Sequence, residues 1–249
     1  VRDENANMRL NGMYRFIIGL AKKVLIANVM GAQVKAMYGL GIEELSTLQA
    51  WYAAIAFTFQ IYFDFSGYSD MAIGIGKMIG FKFPENFNFP YLSRSITEFW
   101  QRWHMTLGSW MRDYLYIPLG GNRKGKFRTY LNLFLVFLIS GFWHGAAWNF
   151  IIWGCFHGFF LVIERLFLKK VLDRIPGVIS VAYCFFLVII GWVFFSTDTF
   201  SESITLLKKM FVFTSNGTDL EWTGKALFFM VLAAFLSFFA INKKIIERL

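Results

Sequence analysis

From Thr129 to Leu168 the chain runs for forty residues in which only Glu164 and Arg165 are charged. At about 1.5 Å per residue, that is twice what one helix needs to cross roughly 30 Å of hydrocarbon. Two passes joined at a break fit the length, and Gly141-Phe142-Trp143-His144-Gly145 is the breaker. Non-helical backbone at membrane depth is tolerated only where it is packed in protein or lines a wet cavity. An ionisable side chain there is expensive, so a functional role is its default reading, with a histidine bonded across helices as the bland alternative. His144 is the residue to explain.

With 57% hydrophobic, 20% aromatic and 16% charged residues, the chain is too apolar for an ordinary soluble domain. A formal charge of +9 would suit nucleic acid. However, basic residues beside apolar spans are what the positive-inside rule expects, and no nucleic-acid motif appears. Cys155 and Cys184 sit in apolar runs and imply no disulfide framework. The polar opening VRDENANMRL has neither the apolar core nor the cleavage site of a signal peptide. The chain is expected to be a single membrane domain over 1–249, the C-terminal part of a longer protein.

Taken in order, Asn11 to Met30 is helical in period but carries Arg15, Lys22 and Lys23, which favours an interfacial or protein-packed helix whose lysines snorkel to headgroups. Leu45 to Phe63 is uncharged and long enough to span. Asp64 to Phe81 then offers Gly67, Gly74, Gly76 and Gly80 for close helix approach, with Asp64 and Asp70 read first as structural hydrogen bonders. Ser95 to Tyr116 is expected to be an amphipathic helix with Trp100, Trp103, Trp110, Tyr114 and Tyr116 at the interface, which places His104 near the cytoplasmic side. Arg123, Lys124, Lys126 and Arg128 form a cytoplasmic loop. From it, Leu131 to His144 rises roughly 20 Å, beyond the midplane. The second arm returns Lys169 and Lys170 to the cytoplasm, Val178 to Phe195 goes out, Ser196 to Lys225 is external, and Ala226 to Ile241 comes back to Lys243, Lys244 and Arg248.

A neutral imidazole near pH 7 takes the proton from a hydroxyl as it attacks a thioester or ester carbonyl, so His144 reads as a general base. Metal binding is disfavoured: His144 and His157 are too far apart in sequence for one helical face, neither has a partner at i+4, and His157 reads as structural. Phe65-Ser66-Gly67 lacks the G-x-S-x-G pattern of a nucleophile elbow. A membrane transporter or a scaffold subunit of a polysaccharide export complex is the rival of another class, but no inverted repeat supports a transporter.

The segments YFDFSGYSDMAIGIGKMIGF, NFNFPYLSRSITEFWQRWHMTLGSWMRDYLYIPLGGNRKG and GFWHGAAWNFIIWGCFHG resemble the membrane-bound O-acyltransferase (MBOAT) superfamily, most densely over 57–164. More narrowly they resemble its bacterial alginate O-acetylation branch and the related D-alanyl transfer protein of teichoic acids. The resemblance implies an all-α, polytopic helical bundle with broken or re-entrant helices in the inner (plasma) membrane. It implies that an acyl group passes from a cytoplasmic thioester donor, acetyl-CoA or an acyl carrier, to hydroxyls of an extracytoplasmic polysaccharide such as alginate. An extracytoplasmic partner protein completes the transfer, no cofactor or metal is bound, and D-alanylation of teichoic acid is the alternative. By the same resemblance His144 is the principal catalytic residue and His104 the second, with His104 orienting the donor or protonating the leaving group. Arg102, Trp103, Trp143, Asn149 and Asp113 make up the expected substrate-binding set, Arg102 as the cation for donor phosphates. Gly108 and Gln101 depart from the serine and arginine common in the family.

Overall fold

A computed structural model of the chain describes residues 5–215 and 224–238. Helix α1, Ala6–Gly39, opens on Asn5, whose side chain accepts from the Met8 N–H, and carries a widened π turn at Lys22–Ala27. Helix α2, Thr47–Met78, starts at a reciprocal cap made by Ser46 and Gln49. The two helices lie backbone to backbone because glycine meets glycine. A Cβ on Gly74 would stand 2.6 Å from the carbonyl oxygen of Gly12, and one on Gly67 would stand 2.7 Å from that of Gly19.

The charges of α1 do not reach for headgroups. Arg15 Nη2 lies 2.6 Å and Lys22 Nζ 2.7 Å from the two oxygens of Asp70, and Lys23 pairs with Asp64. Three cations that would be costly in lipid are met by carboxylates of α2, so α1 is protein-packed without snorkelling. It is one of three helices among the described residues that are long and apolar enough to cross a membrane. Helix α2, which takes in most of the uncharged run Leu45 to Phe63, is not one of them. It is largely covered by its neighbours, with Gln49, Thr58, Ser66, Ser69 and Asp70 buried.

The segment expected to be one interfacial helix is broken in two. Helix α3, Ile96–Arg102, and helix α4, Met105–Met111, meet at His104, whose φ of 46° and ψ of 54° lie in the left-handed region. That break turns the aromatic faces apart. Trp110 and Tyr114 stay on the surface, whereas Trp103 is 4% exposed and belongs to the core. The pair is re-entrant: α3 starts against Glu164, and His104 at its inner tip lies edge-on to Phe65, near the midpoint of α2. His104 is therefore half-buried against α2 at the break between two short helices, where one continuous interfacial helix was expected.

Helix α5, Gly125–His144, and helix α6, Trp148–Leu172, are the two arms of the long apolar run. Gly145-Ala146-Ala147 separates them, so the chain breaks immediately after His144. Gly141 is helical and serves packing: a Cβ there would lie 3.2 Å from the Gly154 Cα. Helix α7, Gly177–Ser196, follows antiparallel to α6, helix α8, Phe200–Phe211, caps the end of the bundle, and helix α9, Gly224–Phe238, packs back. Lys243, Lys244 and Arg248 lie outside the described residues. The described residues form an all-α bundle with broken and re-entrant helices.

Candidate active site

His144 ends α5 with its ring 5.2 Å from Trp153, 5.1 Å from Phe195 and 4.9 Å from Trp143. Among the described residues no side chain or carbonyl hydrogen-bonds its imidazole. Trp143 is 61% exposed beside it. From His144 an aromatic wall continues inward: Trp153 stacks 6.2 Å from Trp192, and Trp192 lies 4.9 Å from Trp103, the neighbour of His104. The two imidazoles thus stand on one wall.

His104 is held far more tightly than His144. The stretch 86–88 pairs with 102–106: Asn88 N–H donates to the Arg102 carbonyl at 2.9 Å, and Met105 N–H to that of Asn86 at 3.0 Å. This pairing supports the left-handed backbone at His104, which a non-glycine residue adopts only when its surroundings over-determine it. Asn86 Oδ1 lies 3.1 Å from His104 Nδ1 and also accepts from the N–H and hydroxyl of Thr106, at 3.2 and 3.0 Å. Sequence reasoning missed Asn86. Its one signal is the Asn86-Phe87-Asn88 alternation before Pro90, which marks a loop without saying which loop residue reaches the imidazole.

The rest of the expected set divides. Trp103 is at the centre and Trp143 at the mouth. Arg102 is committed to Glu98, 2.6 Å away, and to the Asn88 carbonyl, so its guanidinium is a strut of the 86–106 pairing as the structure stands. Asn149, the second residue of α6, is buried and donates to the Thr197 carbonyl at 3.0 Å, tying α6 to the end of α7. Asp113 lies away from the wall, paired on the surface with Arg112, whose guanidinium pulls its pKa below the usual carboxylate value. His157 is buried between Trp100 and Trp153, and Gly191 on α7 leaves it room. Trp153, inside a quoted motif but not singled out, and Trp192, outside all of them, are the wall residues that sequence reasoning missed; the buried indole N–H of Trp153 has no acceptor among the described residues.

Two histidines stand on a shared aromatic wall, one at a helix break and one at a re-entrant tip, and imidazole is a group that can both take and give a proton near neutral pH. The family model that describes membrane-bound O-acyltransferases, MBOAT, matches residues 12–197. The chain belongs to that family. It is 46% identical to a probable alginate O-acetylase of Pseudomonas aeruginosa, over 90% of this chain and 44% of that protein. It is 45% identical to a peptidoglycan O-acetyltransferase of Helicobacter pylori, over 80% of this chain and 38% of the other. A teichoic acid D-alanyltransferase of Streptococcus thermophilus is 36% identical over 68% of this chain and 43% of its own length. The chain spans about half the length of the curated relatives it matches. The matched stretch takes in both histidines, Asn86 and the whole aromatic wall.

Proposed function

We propose that the chain is the part of a multi-pass inner-membrane O-acetyltransferase that carries its proton-transfer centre. The acyl group comes from a cytoplasmic thioester, acetyl-CoA or an acyl carrier, and passes to a hydroxyl of an extracytoplasmic polysaccharide such as alginate, with an extracytoplasmic partner protein completing delivery. The observation that carries this reading is the placement of two imidazoles on one wall inside a bundle of apolar helices. Attack by the hydroxyl oxygen on the thioester carbonyl forms the ester C–O bond as the C–S bond breaks. An imidazole takes the hydroxyl proton, and the departing thiolate receives one. Low-dielectric walls strengthen both transfers, because little water competes for the reacting groups.

The test uses the full-length enzyme in membranes with two radiolabelled donors, an acetyl thioester and a D-alanyl carrier thioester. Label from acetate in the polysaccharide supports O-acetylation; label from D-alanine alone transfers the reading to the teichoic acid branch. His144→Ala is expected to abolish incorporation while leaving the amount of inserted protein unchanged. Full activity in that variant removes the imidazole at the break from the reaction.

A further inference from the structure

Asn86 Oδ1 is an oxygen, and this can be settled without seeing a hydrogen. The backbone N–H of Thr106, 3.2 Å away, can only donate, so the atom facing it must accept. The same atom lies 3.1 Å from Nδ1 of His104, which must therefore carry the proton. A neutral imidazole has one N–H. Once that N–H is at Nδ1, Nε2 is left as a bare lone pair. His144 has no comparable acceptor among the described residues to choose its tautomer.

We propose that Asn86 is a positioning residue that locks His104 as the Nδ1–H tautomer, making His104 Nε2 the atom that takes the proton from the acceptor hydroxyl. The division of labour then reverses the sequence expectation. The hydroxyl O–H bond breaks toward Nε2, the C–O bond forms as the thioester C–S bond breaks, and the imidazolium stays bonded to Asn86 through Nδ1–H. The thiolate takes up the Nε2 proton of that imidazolium, so that no proton or electron is left over, and His144 is left to orient the reacting groups. A histidine whose Nε2 is bare cannot protonate a leaving group until it has first collected a proton. This inference rests on the acyl-transfer reading above.

The charged neighbours of His104 leave Asn86 as the group that sets it. Glu85, next to Asn86, is held by Arg15 at 2.5 Å; Asp64, next to Phe65 on α2, by Lys23; and Arg102 by Glu98. Arg112 and Asp113 beyond α4 pair with each other, and His144 on α5 is the titratable group whose charge bears on His104.

The experiment is Asn86→Asp and Asn86→Ala in the full-length enzyme, with kcat/KM followed against pH. Asn86→Asp keeps the acceptor oxygen and adds a negative charge beside Nδ1. It should stay within about tenfold of wild type at its optimum while its acidic limb moves to higher pH by roughly one to two units. Asn86→Ala removes the lock and should lose about 10²-fold or more in kcat with its acidic limb in the wild-type place. If Asn86→Ala does not insert, the Asp variant decides alone. An unmoved acidic limb in Asn86→Asp overturns the inference, as does wild-type kcat in Asn86→Ala. Absence of label transfer by the wild-type enzyme from both donors is a different result, because it overturns the acyl-transfer reading itself.

Discussion

Trp103, beside His104, carries the packing of the aromatic wall. It is 4% exposed and stacked among Tyr91, Phe99 and Trp192. Trp103→Ala should therefore destabilise by about 3–5 kcal/mol, as large-to-small changes in cores do, and should lower activity through loss of folded protein.

Between elements, the decisive contacts are a carboxylate and a set of glycines. Glu164, buried in the π turn Glu164–Leu168 of α6, accepts from the N–H of Ile96 at 2.7 Å, the N–H of Thr97 at 2.9 Å and the Thr97 hydroxyl at 2.8 Å. It thereby caps the start of α3, whose other end carries Trp103 and His104. Glu164→Ala leaves two buried N–H groups unmet at about 1–3 kcal/mol each, and should lower the thermal midpoint by several degrees. Glu164→Gln keeps one acceptor oxygen and should fall between the two. Equal midpoints for all three would show that α3 is anchored elsewhere. The glycines make a matched control. Gly67→Ala and Gly74→Ala put a methyl group into the backbone of α1, whereas Gly39→Ala meets no atom within 4 Å, so only the first two should reduce the yield of folded protein.

These contacts also mark where the sequence could be read. The helical class, the paired arms on either side of 145–147 and the glycine-mediated approach of Gly67 and Gly74 are local patterns, legible because a period or a breaker is written in neighbouring residues. The break at His104 is different. Nothing in Trp-Gln-Arg-Trp-His-Met stops a helix; the left-handed turn there is imposed by Asn86 and Asn88 from a loop well upstream. For the same reason the interfacial place expected for Trp103 fails, and Asn86 goes unseen, since each depends on a long-range pairing. Glu164 stood out as a charge in an apolar run, but its partners in α3 were not readable from either segment alone.

For the whole molecule, the end-to-end contacts define two poles. Tyr38 bonds Ser196 at 2.9 Å, Asn149 bonds the Thr197 carbonyl, Thr47 N–H donates to the Thr214 carbonyl at 3.1 Å, and Trp51 donates to the Met210 carbonyl at 2.7 Å. At the opposite pole Arg165 reaches Asn122 at 2.9 Å, close to the basic run Arg123, Lys124, Lys126 and Arg128. By the positive-inside rule the pole with Tyr38, Thr47 and Ser196 is expected to face out, with His144 toward it at the end of α5. Between Lys124 and Ser201 run α5, α6 and α7; α6 and α7 are long and apolar enough to cross, α5 packs along α6, and three crossings are the expectation, which would put these two exposed residues on opposite sides. Single cysteines at these positions, introduced as Lys124→Cys and Ser201→Cys after Cys155 and Cys184 are changed to alanine, test this with a membrane-impermeant maleimide. The Ser201→Cys variant should label in intact spheroplasts, and Lys124→Cys only after permeabilisation. The reverse pattern would keep the three passes but invert the orientation and the direction of acyl transfer. Labelling of both from one side would mean that one of the three helices does not cross, and the break after His144 would then join two segments lying on one side of the bilayer.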